Sequence, residues 1–248
     1  MSLLTIDTLT VTFGDFTALD HVDLHLDEGQ LLFLIGPNGA GKTTLIDTIT
    51  GRTRPTHGTI TFNGHTLNKR SEHQIVRAGI GRTFQTSAVF EELTVADNVD
   101  LAASARLRPW QLLRRRRTLP PDVIRHLDRV GLTDHADRPA ATLSHGQRQW
   151  LEIAMLLAQN PRLLLLDEPV AGMSADERTR TGALLTEIAA DHTIIVIEHD
   201  MDFLRRYADQ VTVLHEGRIL THGDVTTVQN DPRVQEVYLG RTPQKATP

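Results

Sequence analysis

Apolar and polar residues alternate along the first part of the chain, and this pattern predicts an antiparallel sheet. Residues 4–13 and 22–26 follow the period of strands that have one face on a core and one in solvent. By contrast, the runs LLFLI at 31–35, LLLLD at 163–167 and TIIVIE at 193–198 are almost continuously apolar. Such runs are typical of parallel strands that helices cover on both faces. The pattern therefore predicts an α/β core that is joined to an antiparallel β-subdomain.

A different pattern occupies residues 93–157, which contain few strand signals and many helix-forming residues. A Pro-Pro pair at 120–121 predicts a break in this region, and Gly131 predicts a turn. We therefore expect a helical subdomain that is inserted into the α/β core.

Short alternating segments return at residues 209–223, where Glu216 and Gly217 favour the turn of a β-hairpin. A polar tail is expected to follow. We expect a single domain over residues 1–248, with the α/β core and β-subdomain at 1–85 and 160–248 and the helical subdomain at 86–159.

Composition narrows the class of protein. The net charge of −5, from 26 Lys and Arg against 31 Asp and Glu, argues against a surface built mainly for nucleic acid. The sequence has no cysteine, which excludes disulfides and thiolate metal sites. Its first residues alternate where a signal peptide would be basic and then apolar, and no apolar run approaches the roughly 20 residues of a membrane span. We therefore expect a cytosolic chain that does not itself cross a bilayer.

The stretch GPNGAGKTTL, residues 36–45, fits the phosphate-loop motif G-x-x-x-x-G-K-[ST] between an apolar run and a helical segment. Backbone N–H groups of such a loop surround phosphates, the helix start adds partial positive charge, and Lys42 adds a full charge. The hydroxyl of Thr43 would hold Mg²⁺. An ordinary Gly-rich turn would require strand, loop, lysine and hydroxyl to coincide by accident. The residues predicted to bind the nucleotide here are Gly36, Pro37, Asn38, Gly39, Ala40, Gly41, Lys42, Thr43 and Thr44.

Two adjacent carboxylates, Asp167 and Glu168, follow the buried run in RLLLLDEP. In an extended strand they would point to opposite faces. We expect Asp167 to reach Mg²⁺ through water, and Glu168 to face the γ-phosphate and polarise the attacking water as the general base. A simple acidic turn is the alternative, but Lys42 in the same chain argues against it.

The sequence LSHGQ at 143–147 resembles the L-S-G-G-Q signature of the ATP-binding cassette ATPases. Ser144 and Gln147 have the spacing of a capping box, and the helical segment that follows could present its N-terminus to an anion. A helix cap without a ligand is the alternative when these residues are taken alone. However, Ser144 precedes Asp167 by 23 residues, a spacing similar to that in cassettes.

This resemblance implies a head-to-tail dimer in which the signature of one subunit closes over ATP held by the phosphate loop of the other. Ser144, the amide of Gly146 and Gln147 would then contact the γ-phosphate side of the partner's ATP. Closure would depend on the nucleotide and would move coupling helices of separate membrane permease subunits. The resemblance also implies a chain that lies peripherally on the cytoplasmic face of the membrane.

Three further residues are similar to functional positions of the family, and each could instead have a role that involves no ligand. Gln85 in GRTFQ resembles the glutamine that senses Mg²⁺ or water, although a lone Gln is more often a surface residue. His199 in VIEHD resembles the switch histidine that touches the γ-phosphate, although such a His is often structural. Phe13 in VTFG resembles the aromatic on which adenine stacks, with Phe16 as the nearby competitor and core packing as the alternative.

Departures from the family pattern point to a subgroup. His145 replaces the first signature glycine, and Ser174 replaces the aspartate of the usual S-A-L-D loop. The segments EPVAGMS at 168–174 and NDPRVQEVYLG at 230–240 resemble the cassettes of branched-chain amino acid and urea importers. We favour urea because LSHGQRQWLEIAM together with EPVAGM resembles the urea-transport cassettes more, with branched-chain or other amino acids as the alternative. The subgroup implies an identical or a homologous second cassette, and a solute-binding protein outside the membrane as an indirect partner.

Two rival classes fit less well. Soluble cassettes that act on nucleic acid or ribosomes carry a long coiled coil or two cassettes in one chain, and this chain has neither heptads nor a repeat. Only the basic run Arg114–Arg117 favours them, and a solvated helix end or membrane headgroup contact explains that run as well. A phosphate-loop kinase would leave the signature and His199 unexplained. We therefore expect no nucleic-acid partner.

Overall fold

Two sheets form the framework of the molecule, seen in a computed structural model that describes residues 2–83, 89–104 and 119–239. The strands are β1 (Ser2–Phe13), β2 (Phe16–Asp27), β3 (Leu31–Ile35), β4 (His57–Phe62), β5 (His65–Thr66), β6 (Ile80–Arg82), β7 (Leu163–Asp167), β8 (Thr193–Ile197), β9 (Gln210–His215) and β10 (Arg218–Gly223). One sheet has the order β2-β1-β4-β5 and is antiparallel; the other has the order β10-β9-β3-β8-β7-β6.

The helices lie between some of these strands along the chain or follow the last strand. They are α1 (Lys42–Ile49), α2 (Glu72–Ala78), α3 (Val95–Ser104), α4 (Pro121–Arg129), α5 (His145–Leu157), α6 (Ala175–Ala189), α7 (Met201–Tyr207), α8 (Val225–Asn230) and α9 (Pro232–Leu239). Short 3-10 turns lie at Thr133–His135 and Ala140–Thr142. In the ranges that the structure describes, no helix combines the length and the apolarity that crossing a bilayer requires.

Both patterns of hydrophobicity are explained by two apolar cores. Leu32 and Leu34 of β3 face the core beneath the antiparallel sheet, whereas Leu31, Phe33 and Ile35 face the core beneath the helices. Because β3 is covered on both faces, every residue in it is apolar and buried. The predicted antiparallel sheet and the three predicted parallel strands are confirmed, and so is the α/β fold class.

Parallel pairing brings the ends of three strands to one edge of the sheet. β3 and β7 both pair with β8, through Leu34 with Ile197 and through Asp167 with Ile197. The segments that leave the carboxyl ends of β3, β7 and β8 therefore start next to one another. In open α/β sheets this edge is where ligands bind.

Between residues 89 and 159 the described residues form helices, 3-10 turns and loops, and their only strand-type pairing is one isolated bridge between Thr94 and Pro139. Pro120 and Pro121 begin α4, since proline is well suited to the first turn of a helix. Trp150 of α5 donates from Nε1 to the hydroxyl of Thr181 in α6 at 2.8 Å, which joins this region to the core. The predicted subdomain limits at 86–159 stay a prediction, and Arg114–Arg117 lie outside the described residues.

The C-terminal part of the chain differs from its prediction. The β9–β10 hairpin is confirmed, with Glu216 and Gly217 at φ of 47° and 76° in a two-residue turn. The polar tail predicted after it is wrong for residues 225–239, which form α8 and α9. Val234 of α9 is buried in the core beneath the helices, and Tyr238 lies partly buried near the backbone of Gly36. Burial raises the pKa of Tyr238 to about 12.

Candidate functional site

The predicted phosphate loop connects β3 to α1 and is seated tightly against the hairpin strand β9. Gly36 has a φ of 152°, and a Cβ at this residue would lie 2.1 Å from the carbonyl oxygen of Leu214. Only glycine fits this contact, because any side chain would collide with a backbone atom that cannot move aside. The glycine that starts the motif therefore fixes the path of the loop.

The start of α1 is arranged to receive an anion. Gly41 is its N-cap, no side chain caps the helix, and the first turn contains no acidic residue. Free N–H groups and the partial positive charge of the helix start are thus left for a ligand. Lys42 Nζ donates to the carbonyl oxygens of Gly36 at 2.6 Å and Pro37 at 3.0 Å. Burial lowers the pKa of Lys42, while the nearby carboxylates of Glu168 and Asp167 raise it.

A cavity of about 310 Å³ lies over this loop, and it suits a group that carries several phosphates. Thr43 and Asp167 share its wall, so a hydroxyl and a carboxylate are available to one cation. The described residues hold no cluster of three or more His, Cys, Asp or Glu side chains that could bind a metal by itself. A Mg²⁺ ion held here would thus need oxygens from phosphate or water, which is its usual preference. The lining residues are Phe16, Ala18, Asn38, Gly39, Ala40, Gly41, Lys42, Thr43, Thr44, Asp167, Glu168 and Ile197.

Asp167 is held by a residue that sequence reasoning missed. Arg82, at the end of β6, donates from Nη2 to Asp167 Oδ2 at 3.4 Å and from Nη1 to Asp47 of α1. The side chains of Arg82 and Asp167 are 7% and 3% exposed. Burial raises the pKa of Asp167 and the guanidinium of Arg82 opposes that rise. Arg82 thereby ties the predicted Mg²⁺ carboxylate to the helix that follows the phosphate loop.

Glu168 does not continue the strand, so the reasoning from strand alternation is wrong. β7 ends at Asp167, and Glu168 adopts a left-handed φ of 50°. Its N–H donates to the carbonyl of Ile197 at 3.0 Å, and this bond holds the turn in place. A non-glycine residue in this conformation is uncommon and is often found at functional sites. Both carboxylates line the cavity over the phosphate loop, and a turn rather than the pleat of a strand places them there.

His199 lies next to Glu168 in the structure. Its Nδ1 lies 3.6 Å from Glu168 Oε1, and both side chains are accessible to solvent. The pair stands beyond the ends of β7 and β8, at the edge of the sheet that carries the phosphate loop. Glu168 lines the cavity over the phosphate loop, whereas His199 is absent from its lining and reaches the site through Glu168.

The aromatic residues of the β1–β2 hairpin are both exposed, Phe13 by 53% and Phe16 by 64%. They face each other across the turn as paired residues. Phe16 lines the cavity over the phosphate loop, whereas Phe13 is absent from its lining. This geometry favours Phe16 over the predicted Phe13 as the neighbour of a bound base. Gln85 lies outside the described residues.

The signature segment forms the start of α5, as its capping-box spacing predicts. Ser144 Oγ accepts from Gln147 N at 3.2 Å, and Gln147 Oε1 accepts from Ser144 N at 2.9 Å. Gln147 Nε2 also lies 3.3 Å from His135 Nε2. Two N–H groups of this turn are thus satisfied by the chain itself.

Contacts with α6 and with the loop after Glu168 explain two residues of the signature. Gly146 is buried, and a Cβ there would lie 2.5 Å from Glu177 Oε1 of α6. His145 Nε2 lies 3.1 Å from the carbonyl oxygen of Ala171. Hydrogen bonds from the N–H and hydroxyl of Ser174, with a smaller contribution from the Ser144 hydroxyl, lower the pKa of Glu177. The histidine that replaces a glycine therefore links the signature to the loop after the carboxylates.

The structure does not bring the signature to the phosphate loop of the same chain. Ser144, Gly146 and Gln147 are absent from the lining of the cavity over that loop. One chain thus presents two separate places where a helix start could meet an anion.

Comparison with known proteins agrees with this arrangement. A family model described as "ABC transporter" matches residues 19–171, and one described as "Branched-chain amino acid ATP-binding cassette transporter" matches residues 218–242. The second match covers β10 and both C-terminal helices that sequence reasoning missed.

Curated relatives span nearly the whole chain. The high-affinity branched-chain amino acid transport ATP-binding protein LivG of Salmonella typhimurium is 37% identical and covers 96% of this chain and 98% of its own length. BraF of Pseudomonas aeruginosa, with the same description, is 36% identical at the same coverage. The sulfate/thiosulfate import ATP-binding protein CysA of Mycobacterium tuberculosis is 37% identical over 96% of this chain and 71% of its own length.

Solved structures give the same result. A nucleotide-free ATP-binding cassette from an ABC transporter superposes with a TM-score of 0.84 at 31% identity, and covers 97% of this chain and 100% of its own. An ATP-binding cassette in its ADP conformation superposes with a TM-score of 0.85, at the same identity and coverage.

Proposed function

Because this chain belongs to the ABC transporter family and has an ATPase cassette, we propose that it powers the import of branched-chain amino acids through separate membrane permease subunits. The observation that carries the proposal is the likeness over 96% of the chain to relatives named for branched-chain amino acid transport. The match of residues 218–242 to a family model of the same description supports it independently.

The comparisons favour amino acids as the transported solute, whereas the sequence alone led us to favour urea. The relatives compared above are named for amino acids or for sulfate and thiosulfate, and none is named for urea. The urea preference depended on a few residues of the signature segment and of EPVAGM, and the subunit proposed here would not touch the transported solute. These residues therefore carry little information about the transported molecule.

We propose the following roles at the nucleotide. The phosphate loop and Lys42 grip the triphosphate, Thr43 and Asp167 hold Mg²⁺, and Glu168 accepts the proton of the attacking water. His199 orients that water and contacts the γ-phosphate. When bound, Mg²⁺ would neutralise charge that develops on the phosphate oxygens. The 3.6 Å approach of His199 to Glu168 supports this assignment.

We propose that two cassettes close around two ATP molecules, because the signature and the phosphate loop of one chain stand apart. Ser144, Gly146 and Gln147 would face the ATP of the partner cassette, which is identical or homologous to this chain. Gln85 would lie near the Mg²⁺ ion and transmit nucleotide state to the helical subdomain at 86–159. Loss of the γ-phosphate would remove the contact that holds the two cassettes together.

We propose a peripheral location on the cytoplasmic face of the membrane, where this subunit would bind the permease subunits. A solute-binding protein on the other side would deliver the substrate and would not touch this chain. The transported solute would therefore be selected elsewhere, and Mg-ATP would be the ligand of this subunit.

Uptake of labelled leucine and labelled urea by cells with and without this subunit tests the proposal. We expect deletion to remove leucine uptake and leave urea uptake unchanged, with recovery by the wild-type gene but not by the Glu168→Gln variant. Loss of urea uptake alone would reject the amino acid assignment.

A soluble cassette that acts on nucleic acid makes a different prediction. Its ATP hydrolysis would be stimulated by DNA or RNA and would fall steeply with salt. We expect no such stimulation, and a clear one would favour the rival class.

A further inference from the structure

Glu198 is a buried carboxylate that the roles proposed above do not use. It follows β8 directly, is 1% exposed, and forms none of the ion pairs seen among the described residues. Burying a carboxylate without a cation is costly unless hydrogen bonds satisfy its oxygens. Burial raises the pKa of Glu198, and the N–H groups that surround the carboxylate oppose that rise.

The two oxygens of Glu198 hold two different loops. Oε1 accepts from Val170 N at 3.2 Å, in the loop after Glu168. Oε2 accepts from His199 N at 3.2 Å, in the loop after β8. The backbone pairing of β7 with β8 ends at Asp167 and Ile197. Just beyond this last pair, the carboxylate of Glu198 connects the loop that follows β7 to the loop that follows β8.

This position makes Glu198 a link between the two residues closest to the reaction. Glu168 lies two residues before Val170, and His199 is the residue whose N–H is bound. Because each loop has its own carboxylate oxygen, the side chain fixes the spacing between the loops. A hydroxyl or an amide in this position would present only one acceptor atom and could hold one loop firmly.

We propose that Glu198 is a positioning residue for ATP hydrolysis, which sets the imidazole of His199 against the carboxylate of Glu168. This inference rests on the roles proposed for those two residues. Glu198 is 1% exposed and is absent from the lining of the cavity over the phosphate loop, so it acts through the two loops.

The main test is Glu198→Gln, which keeps the volume but turns one acceptor oxygen into an NH₂ donor that faces a backbone N–H. We expect kcat for ATP hydrolysis to fall on the order of 100-fold, the loss that a misplacement of about 1 Å produces. The KM for Mg-ATP should change less than about twofold, since the phosphate loop is untouched. Hydrolysis is measured with the subunit alone and together with its permease subunits.

A matched control lies at the opposite end of the same strand. His192 precedes β8, is buried, and has Nδ1 2.7 Å from the carbonyl oxygen of Pro161. We expect His192→Leu to lower the melting temperature while kcat of the folded fraction stays at the wild-type value. If His192→Leu reduced kcat as much as Glu198→Gln, the loss would reflect general damage to the sheet and the proposal would be overturned.

A double-mutant comparison separates this inference from the proposed site. Because the proposal places the effect of Glu198 in the approach of His199 to Glu168, Glu198→Gln should slow the His199→Ala variant much less than it slows the wild type. Losses that multiply would overturn the proposal. Wild-type kcat in His199→Ala or Glu168→Gln would reject the proposed roles themselves, whereas impairment of those two with a normal Glu198→Gln would reject only the role of Glu198.

Discussion

The two helix starts that are expected to meet ATP are built in opposite ways. The first turn of α1 has no side-chain cap and no acid, so its N–H groups are open to an anion. The first turn of α5 is closed by Ser144 and Gln147, and the carboxylate of Glu177 lies against Gly146. The phosphate loop is therefore preorganised to bind nucleotide in a single chain. In the dimer proposed above, the signature would exchange internal contacts for a phosphate, so closure of the two cassettes would be the easily reversed step.

The largest expected effect separates binding from turnover. Glu168→Gln should reduce kcat by about 100- to 10,000-fold, because it removes the proposed general base. Affinity for Mg-ATP should be retained, and the closed dimer should accumulate and be visible by size-exclusion chromatography with multi-angle light scattering. Glu187→Gln, which changes an exposed ion pair with Arg129, serves as the control. Wild-type turnover in Glu168→Gln would reject the assigned base.

The second expected effect lies at the open helix start. Lys42→Met keeps a straight side chain but removes the charge, and we expect Mg-ATP affinity to fall on the order of 100-fold, the value of two charge-assisted hydrogen bonds. Isothermal titration with a nonhydrolysable ATP analogue measures it. Because Lys42 also donates to the carbonyls of Gly36 and Pro37, the melting temperature should be recorded as well. Unchanged affinity would contradict the comparison between the two helix starts.

The third prediction uses a matched pair of caps. Ser144 and Ser174 are both N-caps with a complete capping box, and only Ser144 is proposed to meet a phosphate. Each alanine variant should lose about 1 kcal/mol of helix capping. In the Glu168→Gln background, Ser144→Ala should also weaken ATP-dependent dimerisation by about tenfold. Equal dimerisation of the two variants would show that Ser144 is only a cap.

The smallest expected effect concerns stacking of the adenine base of ATP on an aromatic residue. Phe16→Ala should weaken Mg-ATP binding by about 1 kcal/mol, roughly fivefold, at the low end for stacking on an aromatic ring because the ring is largely exposed. Phe13→Ala should have a smaller effect, since Phe13 does not line the cavity. Titration with ATP and with inorganic triphosphate separates the contribution of adenine stacking from that of phosphate binding. A larger loss in Phe13→Ala would restore the prediction made from the sequence.

Local patterns predicted the framework well. The continuous apolar runs marked β3, β7 and β8 because a strand covered on both faces has no position for a polar residue. The spacing of Ser144 and Gln147 predicted the start of α5, since a capping box is made by neighbours in the chain. The phosphate loop was recognisable for the same reason, as its glycines, lysine and hydroxyl lie within one short segment.

What the sequence could not give depends on contacts between distant residues. Arg82 reaches Asp167 across 85 positions of the chain, and nothing local to either residue indicates the pair. The left-handed turn at Glu168 is held by a bond to Ile197 from another strand. The helices α8 and α9 are only six and eight residues long, so their stability comes from packing that a periodicity cannot reveal.

The position of α9 has a practical consequence for anyone who handles this protein. Tyr238 sits beside Gly36, so the last described helix leans on the residue that starts the phosphate loop. We therefore expect a purification tag, a fluorescent reporter or a surface tether attached after α9 to disturb this contact with the phosphate loop more than one attached ahead of β1. Kinetic measurements on C-terminal fusions should be repeated after the tag has been cleaved.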